Sequence, residues 1–175
     1  HSGNLLESSF SDQIFDPIGD PLTEKAARVG GTWYFVSFHG KVVEVDASDE
    51  GVSDLREWNA LSKKEVKKGW RPGGGQLLAA HDSGTLYLSL NREGADSHKL
   101  PGERIRAYSI GDQRKIFDIE PAEPVVNLAV SSGENPILVA STRGPVIFVH
   151  SAMDGRYLKQ LRGPLLGTGV IQFLE

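Results

Sequence analysis

The sequence predicts an all-β protein, a β-propeller segment of about three to four four-stranded antiparallel blades. Three observations carry this. From Leu77 onward, apolar runs of strand length recur at even intervals, each closed by a turn of Gly, Asn, Asp, Ser or Pro. Upstream, TWYFVSF (Thr32–Phe38) and KVVEVD (Lys41–Asp46) flank His39-Gly40, the pattern of a hairpin. One stretch, Ser62–Lys68, reads as a short helix. Four strands every ~45 residues is the period of a blade, so 175 residues hold three to four of them. That is near the bottom of the range for a closed ring. An open arc would expose two apolar blade faces, so the remaining blades are expected from more of the same polypeptide.

Taken in order, residues 1–9 read as a tag remnant or an irregular edge, since His1 stands where an initiator Met would. Through Arg28 the pattern stays irregular, broken by Pro17, Gly19 and Pro21, and only Ser9–Phe15 has strand character. After the Thr32–Asp46 hairpin a third strand is expected at Val52–Trp58. The helix follows, with Ser62 as its cap, Glu65 at the capping-box position and Gly69 as its stop; its apolar content is too small for a core helix. Next comes WRPGGG (Trp70–Gly75). Pro72 fixes its own φ and restricts Arg71, and the glycines permit sharp bends, so this run shapes a corner leading into a strand. The strands Leu77–His81, Thr85–Leu90, Arg104–Ser109 and Lys115–Ile119 form one set. Val125–Val130, Pro136–Ser141, Val146–His150 and Tyr157–Leu161 form the next, and Val170–Leu174 is a last strand. Residues 1–175 thus read as a single propeller segment.

Lys+Arg 19 against Asp+Glu 23 gives a net charge of -4, so no global positive field attracts nucleic acid or an anionic membrane. With Cys 0 there is neither disulfide nor thiolate metal site. No apolar run approaches the ~20 residues of a membrane-spanning helix, so no membrane insertion is expected.

WRPGGG, the following QLLAAHDSGTLYLSL (Gln76–Leu90) and REGADSHKLPGERIRAYSI (Arg92–Ile110) together resemble the large (heavy) subunit of the methylamine and aromatic amine dehydrogenases. The His98-Lys99-Leu100-Pro101-Gly102 loop looks nearer to the aromatic amine enzyme. GTWYFVSFHGKVVEVDAS (Gly31–Ser48) and DGRYLKQLRG (Asp154–Gly163) are similar to further parts of that subunit. The resemblance runs from about Phe10 to the end and corresponds to the C-terminal half of the family's subunit. It implies part of a seven-bladed propeller, the rest of the blades lying in the same chain, within a periplasmic quinoprotein of two large and two small subunits. It further implies oxidative deamination of a primary amine, with tryptophan tryptophylquinone and the catalytic base on the small subunit, and electrons leaving through a blue-copper protein. On this reading the chain is a non-catalytic subunit, carries no cofactor, and offers Trp70, Arg71, Pro72, His98 and Lys99 as candidate partner-interface residues. A non-enzymatic propeller that binds a protein or ligand, and a lactonase-type propeller hydrolase with clustered acidic metal ligands, are the alternatives.

Other motifs have plainer readings. The three glycines after Pro72 could cradle a phosphate, but they open a strand where nucleotide loops open a helix. His39, His81, His98 and His150 lack ligand spacing, and His81-Asp82-Ser83 sits on a strand turn whose adjacent side chains point apart, which argues against a relay. Lys63, Lys64, Lys67 and Lys68 are a solvated helix face or a docking patch for an acidic partner. Asp46, Ser48, Glu50, Gly51, Asp54 and Glu57 match the spacing of an EF-hand loop, yet Asp46 ends a strand and no helix flanks the run. A hairpin turn is the expectation, so titration calorimetry with calcium should show no micromolar binding; a micromolar isotherm would reverse that assignment.

Overall fold

The computed structural model describes residues 22–48, 51–73, 78–92, 101–163 and 173, apart from the side chains of 22–25, 47–48, 51–55 and 78. Within them lie three antiparallel sheets. The first holds β1 (Leu22–Val29), β2 (Thr32–Ser37), β3 (Lys41–Ser48) and β4 (Gly51–Asn59) in sequential order. A short helix, α1 (Lys63–Lys67), and a two-residue strand, β5 (Arg71–Pro72), lead to the second sheet. There β6 (Leu78–His81), β7 (Thr85–Asn91), β8 (Arg104–Ser109) and β9 (Arg114–Ile119) again pair in sequence, with β5 lying on the same side of β7 as β6. The third sheet is β10 (Val125–Val130), β11 (Ile137–Thr142), β12 (Val146–Ser151) and β13 (Tyr157–Arg162). The leading strands β1, β6 and β10 are neighbours, as the innermost strands of consecutive blades are.

Strand alternation explains how the sheets stack. Along β7, Leu86, Leu88 and Leu90 face the first sheet, where with Tyr108 of β8 they meet Val36, Val42 and Trp58. The intervening Tyr87, with Ile105 and Ala107, faces the third sheet and meets Leu128, Leu138 and Phe148. Each seam is closed by a tyrosine. Tyr108 Oη donates to the carbonyl of Ala60 at 2.7 Å, just beyond β4, and Tyr87 Oη donates to the carbonyl of Ala152 at 2.8 Å, just beyond β12. Burial pushes both phenols up to about 12, so they remain donors across the physiological range.

Several expectations are corrected. Leu22–Arg28, read as irregular, forms most of β1. Its sequence has weak alternation, and its strand state comes from pairing with β2 across a register shift between Leu22 and Ala26. Beyond the seams, Val43, Val45 and Val149, on the faces of the first and third sheets turned away from the middle one, are also buried. The exposed apolar side chains lie along the outermost strands and a turn, at Ile116, Met153, Tyr157, Leu158 and Leu161. The Arg71-Pro72 part of the corner is itself a ladder, pairing with Asn91 and Leu90. The expected strands at Ser9–Phe15 and Val170–Leu174 lie outside the described residues, apart from Phe173. Among the described residues no helix is long and apolar enough to cross a membrane.

One glycine is required by a close approach between sheets. Gly102 exchanges backbone bonds with Val125 at 2.7 and 2.8 Å, and the Ser89 side chain occupies the place a Cβ would take. The tyrosine closures give a direct test. Tyr108→Phe and Tyr87→Phe each leave a buried carbonyl without its donor and should cost about 1–3 kcal/mol, read as a lower urea midpoint at unchanged slope. Unchanged midpoints in both variants would show that apolar packing alone closes the seams.

Candidate functional site

Of the candidate partner-interface residues, Trp70, Arg71 and Pro72 lie at one end of the first seam, where α1 meets the second sheet. Ser62 caps α1: its Oγ accepts from the Glu65 N–H at 3.2 Å, while Glu65 Oε2 accepts from the Ser62 N–H at 2.9 Å and from its hydroxyl at 2.8 Å. The other carboxylate oxygen has a second use. Glu65 Oε1 accepts from Nη1 of Arg106 at 2.8 Å, and that guanidinium also grips Asp118, with Nε to Oδ1 at 2.6 Å and Nη2 to Oδ2 at 3.2 Å. A five-residue helix is unstable alone, so this arginine fastens α1 to the blade.

The helix is also fastened behind. Gly69 takes φ +88, the left-handed value that ends a helix, and the Trp70 N–H donates to the Glu65 carbonyl at 3.1 Å. Arg71 Nη1 donates to the carbonyls of Val66 at 2.8 Å and Trp70 at 2.7 Å, and its guanidinium lies 5.8 Å from the Phe38 ring centre. These are carbonyls of the helix end, where a cation is favoured. Trp70 is half-buried with the guanidinium of Arg104 at 4.5 Å and that of Arg92 at 5.6 Å from its ring centre. Pro72 is buried. His98 and Lys99 lie outside the described residues.

Two carboxyl groups here have depressed pKa values. Burial pushes the Glu65 carboxyl up, but the Ser62 backbone N–H and Arg106 outweigh it and hold the group below the usual carboxylate range. Burial likewise raises Asp118, and Arg106 and Lys115 more than offset it. Burial opposes the charge on Arg106, yet Asp118 and Glu65 hold its pKa above the ordinary arginine value. The cluster is fully ionised at neutral pH.

The opposite end of the seam holds a polar pocket of about 240 Å³ between Thr32, Tyr34, Glu44, Asp46 and Arg56 of the first sheet and the turn after β8. Its carboxylates are fixed, Glu44 by the Trp58 indole N–H at 2.8 Å and Asp46 by the Thr32 hydroxyl. Burial, then the Glu44 charge, raises the Tyr34 phenol, while its bond with Thr32 partly offsets this. Sequence reasoning considered Asp46 only as a calcium ligand and missed the pocket, because alternation along β2 and β3 places these residues on one face but cannot say what faces them. Asp46 pairs with Ser53 while Glu57 pairs with Val43, three ladder steps or ~10 Å apart, and Glu57 joins Lys41 at 2.8 Å, so the calcium spacing is that of a hairpin.

His39 lies in the turn between β2 and β3, His81 ends β6 and His150 lies in β12; the Ser83 side chain, expected to point away from His81, turns back to it. His81 Nδ1 accepts from the Ser83 N–H at 3.1 Å and lies 2.8 Å from Ser83 Oγ, so the two side chains do meet; the turn folds them back on one another. Asp82 takes no part in these bonds. His150 Nδ1 lies 3.1 Å from the Gly155 carbonyl, and burial holds its pKa below the ordinary histidine value. The Gly73 N–H, considered for phosphate, donates to the Ser89 carbonyl at 2.9 Å. Among the described residues no three His, Asp or Glu side chains gather to hold a metal.

Comparison with known proteins decides the family. The model of the methylamine dehydrogenase heavy chain matches residues 9–170. The chain belongs to the methylamine dehydrogenase heavy chain family. Its relatives include the heavy chains of Methylophilus methylotrophus, 28% identical over 132 residues, and Methylorubrum extorquens, 26% identical over 141 residues. These alignments cover 74% and 79% of this chain but 32% and 34% of the relatives. The chain therefore spans about a third of the length of the curated relatives it matches, less than the half that the resemblance implied. Among solved structures, U3-55K superposes with a TM-score of 0.53 at 10% identity, covering 82% of this chain and 40% of that one. The RRP9 WD40 repeats give 0.52 at 12%, covering 82% and 39%. Those likenesses establish the blade architecture: this heavy chain segment is a β-propeller fragment.

Arg106 tests how the α1 end of this heavy chain segment is held. Arg106→Ala strands Glu65 and Asp118 against the blade and should cost about 3 kcal/mol at neutral pH, the lower end for a broken buried pair because both carboxylates retain some solvent. Both carboxyls titrate lower in the fold than in the unfolded chain. Their contribution is therefore complete above the unfolded values near ~4 and is lost as pH falls through the folded ones. Urea midpoints should fall with acidification below pH ~4 in the parent chain and less steeply in Arg106→Ala. Parallel acid limbs would refute the role given to Arg106.

Proposed function

We propose that this chain acts as large-subunit scaffold in a quinoprotein amine dehydrogenase that oxidatively deaminates a primary amine in the periplasm. The family match over residues 9–170 carries this reading. In it the chain contributes blades to a seven-bladed ring completed by the same polypeptide. Two such subunits assemble with two small subunits, tryptophan tryptophylquinone resides on the small subunit, and a blue-copper protein accepts the electrons. The quinone is built from paired tryptophans. This chain's three tryptophans have other neighbours: Trp33 with Arg28 at 5.5 Å, Trp58 with Tyr108 at 5.4 Å, and Trp70 with Arg104 at 4.5 Å. That distribution suits a chain that supports the cofactor-bearing subunit and leaves the quinone to it.

Within this assembly the chain's residues bind and orient. Trp70, Arg71 and Pro72, tied to α1 and β7, form a stiff corner suited to holding a second subunit in register, and His98 and Lys99, which precede β8 in sequence, are proposed to join them in that contact. The test is co-expression with a small subunit of the same family, followed by amine-dependent reduction of a redox dye. Reduction by the pair and by neither part alone is the expected result. A co-purifying pair with no dye reduction for any primary amine would overturn the dehydrogenase reading and leave a binding propeller.

A further inference from the structure

The exposed face of α1 has a use that the blade core does not require. No residue of α1 is buried, yet the segment is held at Ser62, at Glu65 through Arg106, and at its end through Trp70 and Arg71. The anchors lie on one side. On the other, Lys63, Lys64, Lys67 and Lys68 are all exposed, and beside them Arg92 stands exposed over the Trp70 ring.

Among the described residues, most acids at this end are already engaged. Both oxygens of Glu65 are bonded, Asp118 belongs to Arg106 and Lys115, and Glu120 is paired with Arg104 at 2.7 Å. Glu103, exposed beside Arg104, is the remaining described acid at the edge of the patch. A chain of net charge -4 thus concentrates five cations on one small, fixed surface. Fixed charges cost less ordering on association than mobile ones, and local positive charge speeds encounter with a negative surface despite an opposite total charge.

We propose that the lysine face of α1, with Arg92, is a docking surface for an acidic protein partner. It favours a protein over a polyphosphate because the patch is a convex helix face of lysines. It contains no arginine fork aimed outward for bidentate phosphate, the nearest guanidiniums being laid against Trp70 or turned inward to Asp118. The assignment stands independently of the amine dehydrogenase reading, since any acidic partner satisfies it.

Poly-L-glutamate is the probe, with binding measured by biolayer interferometry over a salt series. Changing Lys63, Lys64, Lys67 and Lys68 to Gln should weaken binding by on the order of tenfold and flatten the salt dependence. Neutralising an equal number of exposed cations elsewhere, Arg114, Arg143, Lys159 and Arg162, should leave binding near that of the parent. Should the first variant misfold, the pairs Lys63→Gln/Lys64→Gln and Lys67→Gln/Lys68→Gln are each expected to lose part of the affinity. Equal losses in the two four-site variants would overturn the proposal, because net charge alone would then account for binding, and no loss in either pair would overturn it by showing that these lysines make no contact. Tighter binding of duplex DNA or phosphatidylserine vesicles than of poly-L-glutamate at matched salt would overturn it in favour of a phosphate-bearing partner.

Discussion

β7, in the interior of the middle sheet, has no solvent face, and the arrangement of this chain follows from that constraint. On β7 four consecutive residues, Leu86 to Ser89, are buried, and the run continues through Leu90 and Asn91. A strand buried on both sides cannot form alone. It needs two neighbours, and even-numbered leucines and odd-numbered Tyr87 assign a different neighbour to each face. Each buried Leu contributes roughly 1.5–3 kcal/mol, so the three leucines on one face outweigh any single polar contact in that seam. The tyrosines add direction to an attraction that has none, because each hydroxyl reaches one carbonyl of one neighbouring sheet.

Polar groups gather where this apolar seam meets water. At one end Arg106 holds α1, and at the other Glu44, Asp46 and Tyr34 line a pocket. Trp58 connects the two regimes. Its ring meets Tyr108 edge to face inside the seam, while its indole N–H is spent on Glu44 at the polar end. That donor helps to offset the cost of burying the Glu44 carboxylate, beside which Arg56 also lines the pocket, and burial followed by the Glu44 charge raises the neighbouring Tyr34 phenol.

The described strands from Thr32 onward, β5 apart, were legible because they carry their own alternation and end in their own turns; β8 and β10 fall at the expected residues. The helix was legible for the same reason, since a capping box is a local device. What could not be read depends on partners distant in sequence. β1 has too little alternation to declare itself and exists by pairing with β2. Arg106 looks like one more strand cation until Asp118 and Glu65 are brought to it from 12 and 41 residues away. The pocket beside Glu44 is invisible for a related reason, because its far wall is the turn of another blade.

Likeness to WD40 chains at 10–12% identity shows how little a blade asks of its residues: a period, an alternation and turns. Those requirements are met by the strands, so the strands say least about function. The segments free of them are the linkers between blades, and α1 with the Trp70–Pro72 corner is the most heavily fastened of these among the described residues. A linker needed only for connection has no physical reason to draw on a buried arginine, a capping box and a second guanidinium at its end. Such ties restrain a surface whose position matters to something outside the blade. The corner's aromatic and basic residues brace that surface as well as offering the subunit contact proposed for them.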